Sequence, residues 1–146
     1  DPRILKNRDK INQIIKFTES FRPFAPAILN EKKEDFFLIR KNETANFMEK
    51  VFLIKNKMHN KIPAVTHIDG SGRLQTVEKT TNPKFYDLIK EFFNITSIPI
   101  LINTSFNLNG EPIVCTPKDA IRTFNTSGLD MLVIGDFIIC KQNEKI

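Results

Sequence analysis

The stretch Ile98–Val114 reads I-P-I-L-I-N-T-S-F-N-L-N-G-E-P-I-V and carries the clearest structural signal in the sequence. Its apolar run Ile98–Ile102 is typical of a strand that is buried on both faces. Small polar residues follow at once, and Gly110 then permits a backbone turn. These polar residues are Asn103, Thr104, Ser105, Asn107 and Asn109. A buried strand that ends in hydroxyl and amide groups predicts a site for a small anionic ligand, although an ordinary Asn-rich turn has the same composition.

The composition indicates a single globular domain, residues 1–146, with 40% hydrophobic and 27% charged residues. No apolar segment approaches the ~18 residues of a membrane helix, which argues against a membrane partner. The net charge of +5 is spread along the chain without a basic stripe. This argues against a nucleic-acid partner and suits a site for phosphate-bearing molecules. Cys115 and Cys140 lack metal-ligand spacing, and they predict partly buried free thiols in a reducing cytoplasm.

The periodicity of the remaining sequence predicts helices and strands without a regular β-α alternation. The predicted helices are Asn7–Phe17, a segment from Asn82 to about Asn94, and a segment from Thr116 to about Thr126 that Gly128 ends. The predicted strands are Ala27–Leu29, Phe47–Ile54, Pro63–Ile68, Arg73–Val77, Met131–Ile134 and Phe137–Cys140. This pattern favours an α+β fold in which helices flank a twisted mixed sheet.

Three motifs together resemble one known family. They are N-T-S-F-N-L-N-G-E-P-I-V at Asn103–Val114, F-R-P-F-A-P at Phe21–Pro26, and P-A-V-T-H-I-D-G-S-G-R-L-Q-T-V at Pro63–Val77. In this order they resemble the C-terminal domain of the carbamoyltransferases that include nodulation proteins and antibiotic O-carbamoyltransferases. The motifs span most of the 146 residues.

The resemblance implies a fold and a chemistry. The family's C-terminal domain is similar in fold to the threonylcarbamoyl-adenylate synthases. It implies binding of carbamoyl phosphate and of ATP with Mg²⁺, formation of a carbamoyl-adenylate, and transfer of the carbamoyl group to a hydroxyl acceptor. The transfer would need an N-terminal domain, which holds its own metal and which we expect to precede Asp1 in a longer protein.

Lys16 and Arg22 are the first candidate phosphate-binding residues. Arg22 lies in a proline-rich segment, and its guanidinium fork suits bidentate recognition of phosphate beside the point charge of Lys16. The alternative is that Lys16 is an ordinary surface lysine at a helix end and that Arg22 caps nearby carbonyl groups. The resemblance assigns both residues to the phosphates. The family usually has an arginine where this chain has Thr18, so one phosphate contact is missing and affinity for carbamoyl phosphate is expected to be low.

A second group of candidates lies in a predicted hairpin, Pro63–Val77, that turns at Asp69–Gly72. Side chains alternate along a strand, so a three-residue loop would place His67 and Arg73 on one face, and a two- or four-residue loop would separate them. We expect them to converge with Ser105 on one cavity, and Thr66 is a further candidate for binding the substrate phosphate. A neutral His67 would donate a hydrogen bond to a carbamoyl oxygen, and Arg73 would neutralise phosphate charge. The alternative is an edge hairpin with ordinary polar side chains.

The remaining candidates form the nucleotide site that the resemblance implies. Ser105-Phe106-Asn107 is similar to the Ser-x-Asn motif of the threonylcarbamoyl-adenylate synthases, in which both residues contact the nucleotide. Asn103 and Thr104 are expected to lie beside them. No glycine-rich phosphate loop is present, and the histidines show no metal-ligand spacing, so no protein-bound metal is predicted. Two other classes stay open: a non-catalytic ligand-binding or interaction module, and an RNA-binding domain related to tRNA modification.

Overall fold

The computed structural model describes residues 1–16 and 23–141. The chain divides into two compact units, of which the first contains Asp1–Arg8 and Pro23–Thr104 and the second contains Asp9–Arg22 and Ser105–Ile146. The expectation that residues 1–146 form a single domain stays a prediction.

The first unit is built on a mixed four-stranded sheet in the order β2-β3-β1-β4. Its strands are β1 (Ala25–Leu29), β2 (Lys50–Leu53), β3 (Ser71–Val77) and β4 (Ile100–Asn103). The pair β1–β3 is parallel, and the pairs β1–β4 and β2–β3 are antiparallel. Helices accompany the sheet, so the predicted α+β fold with a mixed sheet is confirmed.

The inner strand β1 anchors the core of this unit. All five of its residues are buried, because β1 has a hydrogen-bonded neighbour on each side. The largest core cluster joins Ile28 of β1 to Leu74 of β3 and Ile100 of β4. β4 is an edge strand, and its residues after Ile100 are only half-buried. The prediction that Ile98–Ile102 is buried on both faces is therefore wrong for its second half.

The helices follow their capping signals. α1 (Leu5–Ile11) continues into a π-helical turn, Asn12–Lys16, and α2 (Lys33–Phe36) is a single turn. α3 (Pro83–Thr96) begins as predicted, because the Asn82 side chain accepts a hydrogen bond from the Phe85 N–H. Ser97 ends α3 in the left-handed conformation, with φ of 60°.

The predicted hairpin within Pro63–Val77 is wrong. Pro63–Val65 forms a 3₁₀ turn, and β3 pairs antiparallel with β2, so that Arg73 lies opposite Val51. Pro63 has no N–H to donate to a sheet and fixes its own φ, which favours a turn at that position. The Ala64 N–H donates to the Pro2 carbonyl, so this backbone pairs with the amino terminus of the chain.

The second unit contains one longer helix and one hairpin. α4 (Pro117–Thr126) begins with a capping box in which the Thr116 and Asp119 side chains each bond the other residue's backbone N–H. The strands β5 (Met131–Ile134) and β6 (Phe137–Cys140) pair antiparallel, as predicted. Cys115 and Cys140 are free thiols, but both are exposed, so the prediction that they are partly buried is wrong. In the described part of the chain, no helix is long and apolar enough to cross a membrane.

Candidate functional site

Lys16 joins the two polar residues that the sequence singled out in the second unit. Its Nζ lies 2.8 Å from the Ser105 carbonyl oxygen and 3.2 Å from Ser105 Oγ. It also lies 2.9 Å from the Asn107 carbonyl oxygen and 2.7 Å from Asn107 Oδ1. Lys16 and the Ser-x-Asn motif, which the sequence treated as separate candidates, are thus in direct contact across a sequence separation of 89 to 91 residues.

The charge of Lys16 is held by neutral oxygens. All four acceptors are carbonyl, hydroxyl or amide oxygens, and among the described residues no carboxylate pairs with the ammonium. Partial burial lowers the pKa of Lys16 below its usual 10.5, because desolvation disfavours the charged form. The cluster therefore carries a positive charge that an anionic ligand would stabilise.

The loop that presents these oxygens is braced from within the second unit. Ser105 Oγ donates to Asn107 Oδ1 at 2.6 Å, and Asn107 Nδ2 donates to the Glu111 carbonyl at 2.7 Å. The Glu111 carboxylate accepts the Leu108 N–H at 3.2 Å. Gly110 takes a φ of 79°, which a residue with a Cβ resists. The role of Glu111 was missed in the sequence, where it looks like one more surface carboxylate.

His67 lies in a short hydrogen-bonded relay in the first unit. Its Nδ1 is 3.1 Å from Ser71 Oγ, which is 2.6 Å from Asp69 Oδ1. A carboxylate only accepts, so the Ser71 hydroxyl donates to Asp69 and His67 Nδ1 must donate to Ser71. This assignment leaves Nε2 as an acceptor. It is buried and has no partner in the described part of the chain.

The electrostatics of His67 favour its neutral form. Burial is the main cause that lowers its pKa, the Arg73 guanidinium lowers it further, and the Asp69 carboxylate opposes both. The hydrogen bonds from the Ser71 side chain and N–H lower the pKa of Asp69. The sequence predicted a neutral His67 that donates to a carbamoyl oxygen. In this arrangement the remaining ring nitrogen is instead a base, able to accept a proton or a hydrogen bond.

Arg73 and Asn103 both belong to the sheet of the first unit. Arg73 is exposed on β3, two residues before Gln75, and the two side chains share one face of the strand. Asn103 Nδ2 donates to Gln75 Oε1 at 2.7 Å across the intervening strand β1. Thr66 Oγ1 donates to the Ile62 carbonyl, which is an ordinary local bond.

The structure thus groups the predicted site residues in two sets. Lys16, Ser105 and Asn107 are in the second unit, and five others belong to the first unit. These five are Thr66, His67, Arg73, Asn103 and Thr104. Convergence of both sets on one ligand stays a prediction. Arg22 and Thr18 lie outside the described residues.

The comparisons with known proteins agree on one family. Residues 1–141 match the family described as "Carbamoyltransferase C-terminus". The chain is 48% identical to nodulation protein NolO of Bradyrhizobium diazoefficiens over 143 residues, which are 97% of this chain and 26% of that protein. It is 45% identical to nodulation protein NolNO of Sinorhizobium fredii, covering 97% of this chain and 21% of that protein.

A relative with a named reaction is more distant. The chain is 32% identical over 129 residues to the 3'-hydroxymethylcephem-O-carbamoyltransferase of Amycolatopsis lactamdurans, covering 88% of this chain and 24% of that protein. The chain therefore spans about a quarter of the length of these relatives.

Proposed function

Since this chain belongs to the carbamoyltransferase C-terminal family, we propose that it binds carbamoyl phosphate and ATP and supports formation of a carbamoyl-adenylate. The observation that carries the proposal is the Lys16 ammonium held by Ser105 and Asn107. It is a partly desolvated positive charge with only neutral oxygens as hydrogen-bond partners among the described residues. Phosphate groups are the ligands that such a charge stabilises most.

The chemistry needs two anions in one place. Once carbamoyl phosphate has lost its phosphate to water, a carbamate oxygen would bond to the α-phosphorus of ATP, and pyrophosphate would leave. Lys16 would offset the repulsion between the two anions and orient the attack in line. The Ser105 hydroxyl and the Asn107 Nδ2 amide, which donate to Asn107 Oδ1 and to the Glu111 carbonyl in the structure, would donate to the phosphates instead.

His67 and Arg73 of the first unit are candidates for binding carbamoyl phosphate. His67 would accept a hydrogen bond from the carbamoyl NH₂ through Nε2, and Arg73 would neutralise phosphate charge. Magnesium would reach the site with the nucleotide, because phosphate oxygens are its usual ligands. The described residues contain no cluster of three or more His, Cys, Asp or Glu side chains that could hold a metal.

Transfer to a hydroxyl acceptor would require more than this chain. The relatives are about four times as long as the segment they share with it, so we propose that the adenylate is consumed by another domain of a longer protein. The acceptor would be set by that domain.

The test is nucleotide binding by the variant Ser105→Ala/Asn107→Ala. We expect ATP affinity to fall by at least about tenfold, since each lost hydrogen bond to a charged ligand costs about 1.5–3 kcal/mol. Asn109→Ala is the matched control, because Asn109 is an exposed residue of the same loop. Calorimetric titration with ATP, together with a thermal melt of each variant, makes the measurement. Unchanged ATP affinity in a folded double variant would contradict the proposal.

A further inference from the structure

The first unit contains a basic cavity that plays no part in the proposed chemistry. Its volume is about 340 Å³, and four lysines line it: Lys32, Lys55, Lys57 and Lys61. It lies at the Pro99 end of β4, whereas Asn103 is at the other end. The three residue steps from Ile100 to Asn103 in an extended strand separate these ends by about 10 Å. The cavity is therefore distinct from the part of the sheet that carries Asn103.

The charge of this cavity is poorly balanced. Asp35 is the one carboxylate among its lining residues, and it lies 3.8 Å from Lys32. Lys55 donates to a backbone carbonyl, that of Glu34. The ammonium groups of Lys57 and Lys61 form no hydrogen bond or ion pair with the described residues. Four ammonium groups that face one cavity with a single carboxylate repel one another, and an anion would relieve that repulsion.

The lysines stand on a fixed frame. Lys57 and Lys61 belong to the 3₁₀ turn Asn56–Lys61, which directly follows Lys55. His59 Nε2 of this turn lies 3.0 Å from the Ile54 carbonyl oxygen. A Cβ on Gly70 would meet His59 Cε1 at 2.9 Å, so the His59 ring packs directly on the Gly70 backbone. The positions from which the lysine side chains project are thus set by packing.

Four of the residues that line the cavity are apolar and form what we call its apolar base. Phe36 and Pro99 are buried there, and Met58 and Phe93 are half-buried. The Lys32 ammonium lies 5.6 Å from the centre of the Phe93 ring, so that charge and aromatic surface adjoin. Cavities that hold small molecules have volumes of about 300–1,000 Å³ and combine an apolar lining with a few polar groups.

We propose that this cavity binds a small phosphate ester whose organic part is flat and apolar. Lys57 and Lys61 contact the phosphate, and the organic part packs on Phe36, Met58 and Phe93. Lysine suits this role because its ammonium meets phosphate as a point charge without demanding one geometry. The volume admits a single small molecule, and this argues for a metabolite rather than a polymer.

The experiment follows the backbone amides of the chain by NMR during titration with phenyl phosphate and, separately, with inorganic phosphate. We expect phenyl phosphate to shift the amides of residues 32–36 and 55–61 and to bind more tightly than inorganic phosphate, because the ring adds apolar contact. Lys57→Gln/Lys61→Gln should weaken phenyl phosphate binding by about tenfold or more.

Two controls keep the result specific. Lys6→Gln/Lys41→Gln removes the same charge from exposed positions outside the cavity, and it should leave the phenyl phosphate affinity within about twofold of wild type, since the Debye length at ordinary salt is about 10 Å. Lys16→Ala should abolish ATP binding at the proposed functional site yet leave the shifts at residues 55–61 intact, which separates failure of one site from failure of the other.

Three results would overturn the proposal. Equal weakening of phenyl phosphate binding by the two double lysine variants would mean that only the overall positive charge of the protein attracts the phosphate. Equal affinity for the two phosphates would remove the role of the apolar base. Binding of bulk RNA at these residues without any phenyl phosphate binding would assign the surface to a polyanion instead.

Discussion

The four-stranded sheet of the first unit and the β5–β6 hairpin of the second have equally apolar strands but very different burial. Every residue of β1 is buried, whereas every residue of β6 is exposed. β1 has a strand on each side, and α3 packs its Ile89 against Ala27 and Leu29. In the second unit the described core is small, with Leu132 packed on Ala120 and Phe124 of α4. Apolar sequence thus predicts a strand, and the number of layers around the strand decides whether it is buried.

The largest expected effect comes from a matched pair of isoleucines. Ile28 in β1 is 0% exposed and Ile138 in β6 is 66% exposed. Ile28→Ala should lower the free energy of unfolding by about 2–5 kcal/mol, because it removes buried methyl groups and leaves a cavity. Ile138→Ala should change it by less than about 0.5 kcal/mol, since that side chain is mostly in water already.

Urea denaturation of the two variants and wild type at several protein concentrations makes this comparison. A large cost for Ile138→Ala that grows with protein concentration would break it, because the hairpin face would then be covered by a second molecule in solution.

An intermediate effect is expected at the helix caps. Thr116 takes part in a two-way capping box at the start of α4, with the Asp119 N–H donating to Thr116 Oγ1 at 3.2 Å and the Thr116 N–H donating to Asp119 Oδ2 at 3.2 Å. Asn82 caps α3 through a single bond of 3.3 Å from the Phe85 N–H. Thr116→Ala should cost about 1 kcal/mol and Asn82→Ala about 0.5 kcal/mol.

Native-state hydrogen exchange reports each helix by itself. Thr116→Ser, which keeps the capping oxygen, is the control and should exchange like wild type. Equal losses of protection in α3 and α4 would show that the two caps stabilise their helices equally, which would contradict the expected difference between them.

The smallest expected effect concerns two basic groups, His67 in the first unit and Lys16 in the second. Burial lowers the pKa of both. The pKa of His67 in the folded chain lies below its usual 6.5. At pH values between the folded-state pKa and 6.5, the unfolded chain therefore binds the proton more strongly than the folded chain does. The free energy of unfolding should therefore fall as the pH drops below 6.5, until the pKa of the folded state is reached. The pKa of Lys16 is lowered too, so the corresponding pH range lies just below 10.5. In that range the free energy of unfolding should rise with pH, because deprotonation removes the cost of burying the charge.

His67→Asn and Lys16→Gln test these windows. The stability of wild type relative to His67→Asn should decrease between pH 7 and about pH 5, and relative to Lys16→Gln it should increase as the pH approaches about 10.5. Urea denaturation across this range provides the data. A flat difference at acid pH would mean that His67 titrates normally.

Local signals in the sequence predicted local structure well. Asn82-Pro83 and Thr116-Pro117 gave the starts of α3 and α4, because a cap needs only residues within one turn. Strand pairing depends on distant residues, and there the prediction failed. The sequence predicts that Arg73–Val77 pairs with its neighbour Pro63–Ile68. In the structure Arg73–Val77 belongs to β3, which lies between β2 and β1, and both of these strands are more distant in sequence.

The candidate site divides in the same way. The polar cluster after β4 was visible in the sequence, but its contact with Lys16 joins residues about 90 positions apart, and no local signal predicted it. The role of Ser71 between His67 and Asp69 was missed, since a serine in a Gly-Ser-Gly turn looks like a turn residue. The signal that could have found it is the spacing of three polar side chains within a tight loop.

The π-helical turn Asn12–Lys16 makes this segment tolerant of a change in its length. A π turn is an α-helix that has accepted one extra residue. Because the wider turn absorbs that residue, deleting one residue within Asn12–Ile15 would restore the α-helical repeat and leave Lys16 close to its present place on the helix. A deletion in the preceding α1 would instead rotate Lys16 by about 100° around the helix axis relative to the start of that helix, with a shift of about 1.5 Å along it. The contacts of the ammonium with Ser105 and Asn107 should therefore survive a one-residue deletion within the turn more readily than one in α1.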